Sequence, residues 1–210
     1  MSSTEVFYTE LTATHQEAAC RLMAKAFGSR EPLVLHLGIT EEEMYEFLVL
    51  ALGTVRSSRS TIALADDKVI GLLLAESFAD DPITLTPAQE ERFAPIFELL
   101  NQMAEEFFVR HPVPRDQVHH QLMVSVDEGY KRHKVCENMI QHNNAMAAKK
   151  GFRYCLAEVT GPISQNVAIE RCGYTLDRKY TYAELSQGAA ARFQDMKLSE
   201  FCGLVWRTLH

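Results

Sequence analysis

The chain has 210 residues, 47 % of them apolar and 23 % charged, with 21 basic and 28 acidic side chains and a net charge of −7. That apolar content is enough for a packed core and excludes wholesale disorder. The acidic balance argues against a dedicated nucleic-acid binder, which needs a basic face to neutralise phosphates.

The length suits one domain with an elaborate insertion, so residues 1–210 are expected to form a single domain. Five cysteines (Cys20, Cys136, Cys155, Cys172 and Cys202) contain no CxxC pair. Reduced thiols are expected, with neither a disulfide framework nor a metal site. Met1 to Glu10 shows no basic stretch followed by an apolar core, so no signal peptide is read there. The longest apolar run, Phe47 to Leu52, is far short of the ~20 residues of a membrane span. These features predict a cytoplasmic protein with no membrane partner.

Val6 to Leu11 reads as a short strand. Thr14 starts a helix running to about Phe27, with Ala18, Leu22, Met23 and Ala26 on one face and Gly28 as its stop. Thr40 and Glu43 form a capping box that opens a second helix. Ser60–Ala65 and Val69–Phe78 read as strands joined by the Asp66-Asp67 turn, a β-hairpin. Thr86, Pro87 and Gln89 then mark a helix start inside an insertion. Phe93, Phe97, Leu100, Met103 and Phe107 recur at helical spacing as far as Pro112.

A strand, Val118–Val126, feeds a loop and a helix from about Lys134 to Lys150, closed by Gly151. Arg153–Val159 is a strand and Ser164–Arg171 a short helix. Thr175–Leu185 and Leu204–Leu209 close the sheet. The order β-α-α-β-β-(α)-β-α-β-α-β-β indicates an α/β or α+β sandwich. A strand delivering the chain to a helix N-terminus near Lys134 makes a natural phosphate site.

The stretch Met123 to Cys136 resembles the central strand–loop–helix of the GNAT superfamily of N-acetyltransferases, whose loop has the pattern Gln/Arg-x-x-Gly-x-Gly/Ala. Gly151-Phe152, Thr160 to Asn166, and Cys172-Gly173-Tyr174 are similar to further stretches of that family. Arg30-Glu31-Pro32-Leu33 is similar to the Asp-Glu-Pro-Leu of insect arylalkylamine N-acetyltransferases. The resemblance implies a mixed, mostly antiparallel sheet of about seven strands flanked by helices, with a helical insertion between strands 3 and 4. It implies transfer of an acetyl or other acyl group from acyl-CoA to a primary amine, by direct attack in a ternary complex. Acyl-CoA, acetyl-CoA in particular, and an amine are the implied partners, with no metal, and the protein as a monomer or homodimer.

The resemblance carries roles onto particular residues. A backbone N–H around Val124 to Val126 polarises the thioester carbonyl. The pyrophosphate lies at Lys131, Arg132, His133, Lys134, Val135 and Cys136, and Asn166 is on the coenzyme side. Glu31 is the first choice for general base, kept extended by Pro32. His120 is the second, placed where the vertebrate serotonin-acetylating relatives carry the first of two histidines; the second falls at Leu122. His119 and His120 face opposite ways, so they cannot chelate one metal together. Ser164 can hydrogen-bond the acceptor amine or the leaving sulfur, or cap its helix.

The sequence also departs from the family. Lys134 and Cys136 occupy the two small positions of the phosphate loop. Ala168-Ile169 stand where the usual tyrosine acid is found, leaving Tyr180 and Tyr182 as substitutes or wall residues. Two readings of the loop stay open: Lys134 and its basic neighbours pair directly with phosphate, or the loop binds coenzyme A poorly. The second reading leads to a longer acyl chain or an acyl carrier protein as donor, with a peptide or polyamine acceptor, or to a non-catalytic binding protein. Phe93, Phe97, Phe107 and Phe108 fit core packing or an aryl pocket. Glu76, Asp80 and Asp81 fit surface charges or an attraction for a cationic acceptor.

Overall fold

A computed structural model describes residues 5–53, 58–130 and 134–210. The described residues form seven strands: β1 (Val6–Glu10), β2 (Thr61–Ala65), β3 (Lys68–Ser77), β4 (Val118–Val126), β5 (Tyr154–Val159), β6 (Thr175–Thr181) and β7 (Phe201–Thr208). They make one sheet in the order β1-β2-β3-β4-β5-β7-β6. Every neighbouring pair is antiparallel except β4 and β5. Helices α1 (Ala13–Arg30), α2 (Pro32–Leu37), α3 (Glu41–Ala51) and α4 (Pro87–Arg110) contribute to the core on one face. The other face packs α5 (Val135–Lys149) and, after α6 (Pro162–Gln165), the π-helical turn Asn166–Arg171.

Several elements begin and end where their chemistry dictates. Both capping boxes form, Thr40 with Glu43 and Thr86 with Gln89, each with its two reciprocal bonds. Asp66 and Asp67 carry the hairpin turn, both at positive φ (49° and 59°), as a tight right-twisted hairpin requires. Arg92 of α4 ties the insertion to the front helices. It donates to Leu37 O at 3.0 Å, Gly38 O at 2.6 Å and Glu43 Oε1 at 2.8 Å.

The structure corrects other expected boundaries. Thr12 rather than Thr14 precedes α1, and the helix runs through Gly28 to Arg30. Gly28 serves close packing instead of termination: a Cβ there would sit 3.2 Å from the Glu41 backbone. The apolar run Pro32–Leu37 was not expected as a helix, yet it forms one, capped by the Glu31 side chain and closed by Gly38 at φ 65°. The short helix expected over Ser164–Arg171 starts at Pro162 and passes into a π turn. Ser164 is not its N-cap; it sits in the first turn, bonded both ways to Gly161. β6 stops at Thr181, before Leu185, and a 3₁₀ turn follows. β7 starts at Phe201 instead of Leu204, because Phe201, Cys202 and Gly203 pair with Thr181, Tyr180 and Lys179. Among the described residues no helix is long and apolar enough to cross a membrane.

Candidate active site

The pairing of β4 with β5 ends early. It covers Val118–Tyr154, His119–Cys155 and His120–Leu156. Beyond these, β4 stays paired to β3 as far as Val126, and β5 to β7 as far as Val159, so the two strands diverge. A bulge lies at the point of divergence. Leu74 opposes Met123 and Ala75 opposes Gln121, which makes Leu122 the extra residue. An extra residue bends its strand and increases the local twist. It also breaks the alternation, so Leu122 and Met123 both pack toward the α1–α4 side.

The gap between the strands opens into a cleft of about 930 Å³. One wall is apolar and includes Met44, Phe47, Phe93, Phe97 and Leu122. Phe47 stacks on Phe93 with ring centroids 4.9 Å apart. The insertion therefore divides its aromatic stripe: Phe93 and Phe97 reach the cleft, whereas Phe107 is fully buried in the core. The charges at its start are already engaged. Asp80 pairs with Arg59 at 2.5 Å, and Glu76 bonds to His120.

Glu31 lines the cleft in extended conformation between α1 and α2, with φ −78° and ψ 124°. Its Oε2 accepts from Val34 N at 2.7 Å, and its Oε1 accepts from Thr160 Oγ1 at 2.6 Å. Burial raises its proton affinity above the ordinary carboxylate range, and the hydrogen bonds from Thr160 and the backbone only partly oppose this. A carboxylate so placed is suited to accepting a proton.

The other end of the cleft lies against the start of α5. Val124, Val126, Cys136, Ser164 and Asn166 all line it. Among the described residues the first bond into α5 runs from Asn138 N to Lys134 O, and the Glu137 N–H donates to its own carboxylate. Lys134 is exposed and holds φ 54°, ψ 24°, the left-handed geometry that glycine adopts freely. Lys131, Arg132 and His133 lie outside the described residues. Among the described residues two cations reach the cleft: Arg30, quoted in the sequence only as part of the Glu31 motif, and Arg171, which the sequence did not single out. Arg30 donates to Val126 O at 3.1 Å. Arg171 pairs with Glu137 at 2.7 Å and donates to Asn166 Oδ1 at 3.2 Å. Burial, with Cys172 and Glu137 nearby, pushes the Cys136 thiol up to about 12, so it remains protonated and inert.

His120 is not in the cleft wall. Its Nδ1 is 3.2 Å from Glu76 Oε1, its Nε2 is 2.7 Å from Glu158 Oε2, and Phe78 stacks on its ring at 4.5 Å. Burial disfavours its charge, but Glu158 and Glu76 outweigh burial and hold the imidazole up to about 10. The two carboxylates thus favour the charged form of the ring. His119, on the opposite face, bonds Asn143 Oδ1 at 2.7 Å, and burial pushes it down to about 4. Tyr182 donates to Thr160 O at 3.0 Å and is a wall support. Among the described residues no group of His, Cys, Asp and Glu is arranged to hold a metal ion. Sequence reasoning missed Glu158 and named Ser125 only for its backbone, within Val124 to Val126; both line the cleft and each buries a side-chain oxygen without a hydrogen-bond partner.

No protein-family model matches the chain, and no curated protein matches it in sequence. Solved structures do match in shape. The C-terminal condensation domain of Ebony, in complex with β-alanyl-dopamine, aligns over 98 % of this chain and 100 % of its own, with a TM-score of 0.83 and 17 % identity. The putative arylalkylamine N-acetyltransferase 7 of the mosquito Aedes aegypti gives 0.79 and 21 %, over 98 % of this chain and 88 % of its own. The Drosophila melanogaster polyamine N-acetyltransferase, which forms N-acetylagmatine, gives 0.77 and 14 %, over 98 % and 100 %. With a sheet that splays between β4 and β5 and matches of this extent, the chain has the GNAT fold, and the structures it is similar to include arylalkylamine and polyamine N-acetyltransferases.

Proposed function

We propose that the chain is an N-acyltransferase that moves an acyl group, acetyl first among candidates, from an acyl-CoA to the primary amine of a small molecule. One observation carries this reading. One cleft is lined by a buried carboxylate with raised proton affinity, Glu31, by the start of α5, and by Arg30 and Arg171. The apolar wall with Phe47, Phe93 and Phe97 suits an amine with an aromatic or aliphatic body. The similar structures that act on arylalkylamines and polyamines, and the condensation domain bound to an arylalkylamine amide, support the same acceptor class.

The chemistry divides among the residues as follows. An alkylammonium with a pKa of about 10 is no nucleophile, so a proton must leave first. Glu31 takes it, directly or through water. The free lone pair attacks the thioester carbon, and the C–S bond breaks as the C–N bond forms. A backbone N–H of the unpaired β4 edge, Val124 to Val126, meets the charge that develops on the carbonyl oxygen. The nitrogen gives up its second proton as the amide forms, the departing thiolate takes one up to leave as the thiol, and Ser164 is assigned to that sulfur. The pyrophosphate is assigned to Val135, Cys136 and Lys134 with the basic residues Lys131, Arg132 and His133, and Asn166 to the coenzyme side.

Thermal unfolding with excess acetyl-CoA, with free CoA and adenosine 3′,5′-bisphosphate as controls, followed by an amine panel, tests the reading. A ligand at 100 times its dissociation constant adds roughly 2.7 kcal/mol. No shift with acetyl-CoA and no acylated amine would sink it. A second reading, a carrier-bound thioester as donor, is favoured by the loop itself. Lys134 has a side chain where the family has glycine, and the Glu137 carboxylate sits in the first turn of α5. A charged acyl carrier protein that is used when acyl-CoA is not would establish this alternative.

A further inference from the structure

Glu31 and Ser164 are tied together by one peptide bond, that between Thr160 and Gly161. The β5–β7 ladder ends at Val159 and Gly203, so Thr160 lies past the last paired residue of β5. Its carbonyl accepts from the Tyr182 hydroxyl at 3.0 Å. The N–H of the same peptide unit, that of Gly161, donates to Ser164 Oγ at 3.3 Å, and Ser164 Oγ donates to Gly161 O at 2.9 Å. A peptide unit is planar, so a bond at each end fixes its orientation. The Thr160 side chain springs from this plane and donates to Glu31 Oε1 at 2.6 Å. Pro32, next to Glu31, closes on Gly161 so tightly that a Cβ there would lie 2.9 Å from Pro32 Cγ.

Tyr182 is itself held on several sides. It follows β6, is 1 % exposed and stands outside the cleft wall. Its N–H donates to Glu200 O at 3.1 Å, and its ring lies 6.1 Å from that of Phe193. The Cys202 thiol hydrogen-bonds to the same hydroxyl that reaches Thr160. Burial, first of all, pushes both Tyr182 and Cys202 far up, so each stays neutral while Glu31 titrates. Glu158 of β5 acts on Cys202 as Glu31 does. Arg30, the residue before Glu31, is turned to Val126 O at 3.1 Å and to Glu128 at 3.6 Å. Against burial, the bond from Thr160 is the largest restraint on the proton affinity of Glu31, ahead of the N–H groups of Val34 and Leu33.

We propose that Tyr182 is a positioning residue for the transfer: by fixing the Thr160–Gly161 peptide it sets the Thr160 hydroxyl on Glu31 and holds Ser164 in register with it. This inference rests on the acyltransferase reading and gives the base and the residue assigned to the departing sulfur a common support. Removing the hydroxyl frees the Thr160 carbonyl to turn, which carries Oγ1 away from Glu31. The carboxylate then keeps a proton to higher pH, and fewer molecules present a free base.

The test titrates Glu31 by carbon-13 NMR of glutamate-labelled protein, its signal identified by loss in Glu31→Gln. Wild type, Tyr182→Phe, Thr160→Val and the double variant are compared, with melting curves for each. Tyr182→Phe keeps the ring against Phe193 and removes the hydroxyl alone. Each single variant should move the Glu31 midpoint, and the acidic limb of kcat/KM, upward by about half a pH unit, roughly a threefold change in proton affinity. The double variant should move no further than Thr160→Val alone, because both act through one bond. Acetyl-CoA affinity should stay within about twofold while kcat falls. A folded Tyr182→Phe with the wild-type midpoint overturns the proposal, as do shifts that add in the double variant. Where Tyr182→Phe does not fold, hydrogen exchange in wild type decides. The Gly161 amide should exchange roughly a hundredfold more slowly than a free peptide amide, and free exchange overturns the fixed plane. Turnover separates the two ideas. Amines acylated by a protein whose Glu31 midpoint ignores Tyr182 refute the positioning role alone. A Glu31 midpoint that follows Tyr182 and Thr160, with no amine acylated, refutes the acyltransferase reading alone.

Discussion

Replacing Lys134 with glycine separates backbone strain from charge at the start of α5. Lys134 holds φ 54° and ψ 24°, is exposed, and caps nothing with its side chain. An L-residue in that region costs about 1–2 kcal/mol. Glycine removes this cost but adds about 0.5–1 kcal/mol of unfolded-state entropy. Taking a cation away from a helix N-terminus returns a further ~0.3–1 kcal/mol. Lys134→Ala gains the charge term alone, because it keeps a Cβ. The difference between the two variants is therefore the strain less the glycine entropy, about 0.5–1 kcal/mol. For a chain of this size 1 kcal/mol corresponds to about 2–4 °C in melting temperature. The glycine variant should melt about 1–4 °C above the alanine variant by calorimetry, with a matching change in urea midpoint. An alanine variant that melts at or above the glycine variant would refute the left-handed assignment. Weaker acetyl-CoA binding in both variants alike would identify the lysine ammonium as a phosphate partner.

Four further outcomes follow from the same geometry. Glu31→Gln should lower kcat/KM by about 10²–10⁴ and remove the acidic limb of the pH–rate profile, with acyl-CoA affinity little changed. Burial raises the proton affinity of Glu31 in the folded state, so its stabilising contribution is present at acid pH and lost as pH rises past the ordinary carboxylate range. The Gln variant, which carries no charge, should therefore outlast wild type on heating at pH 8 but not at pH 4. Thr160→Val deletes the donor that opposes this shift and should move the acidic limb upward in pH. Glu43 is displaced the other way, down to about 2, chiefly by its bond to Arg92. Its stabilisation is present above pH 4.5 and is lost as pH falls toward 2; because the side chain is 37 % exposed, solvent screening reduces it to ~1 kcal/mol. Arg92→Met should flatten that region of an acid titration of stability. Gly161→Ala would place a Cβ 2.9 Å from Pro32 Cγ, displacing the Thr160–Glu31 contact. It should cost about 1–3 kcal/mol and lower turnover, and unchanged values of both would contradict the close approach of these two segments.

Local chemistry made much of the fold legible. The Thr40 and Thr86 capping boxes satisfy backbone donors within four residues of chain, so sequence alone marks them. The order of strands and helices and the extended Glu31 before Pro32 were readable for the same reason. Helix α2 was not, because six largely apolar residues carry no period and a glutamate is an uncommon cap. Gly28 misled, since a glycine that admits the backbone of α3 looks the same in sequence as one that ends a helix.

The site divides along the same line. Glu31, Ser164, Asn166 and the β4 edge were named from short motifs, each a few consecutive residues. Glu158 reads in sequence as one polar residue in an alternating strand, and Arg171 as a charge at the end of a short helix. Their partners are His120, 38 residues away, and Glu137, 34 residues away. What the sequence determined by itself was the succession of elements and their caps, because those energies are settled within a turn or two of chain. The cleft was decided only in three dimensions. It exists because a bulge at Leu122 and the end of the β4–β5 ladder let these strands splay, and because burial there leaves Glu31 avid for a proton and one oxygen of Glu158 without a donor.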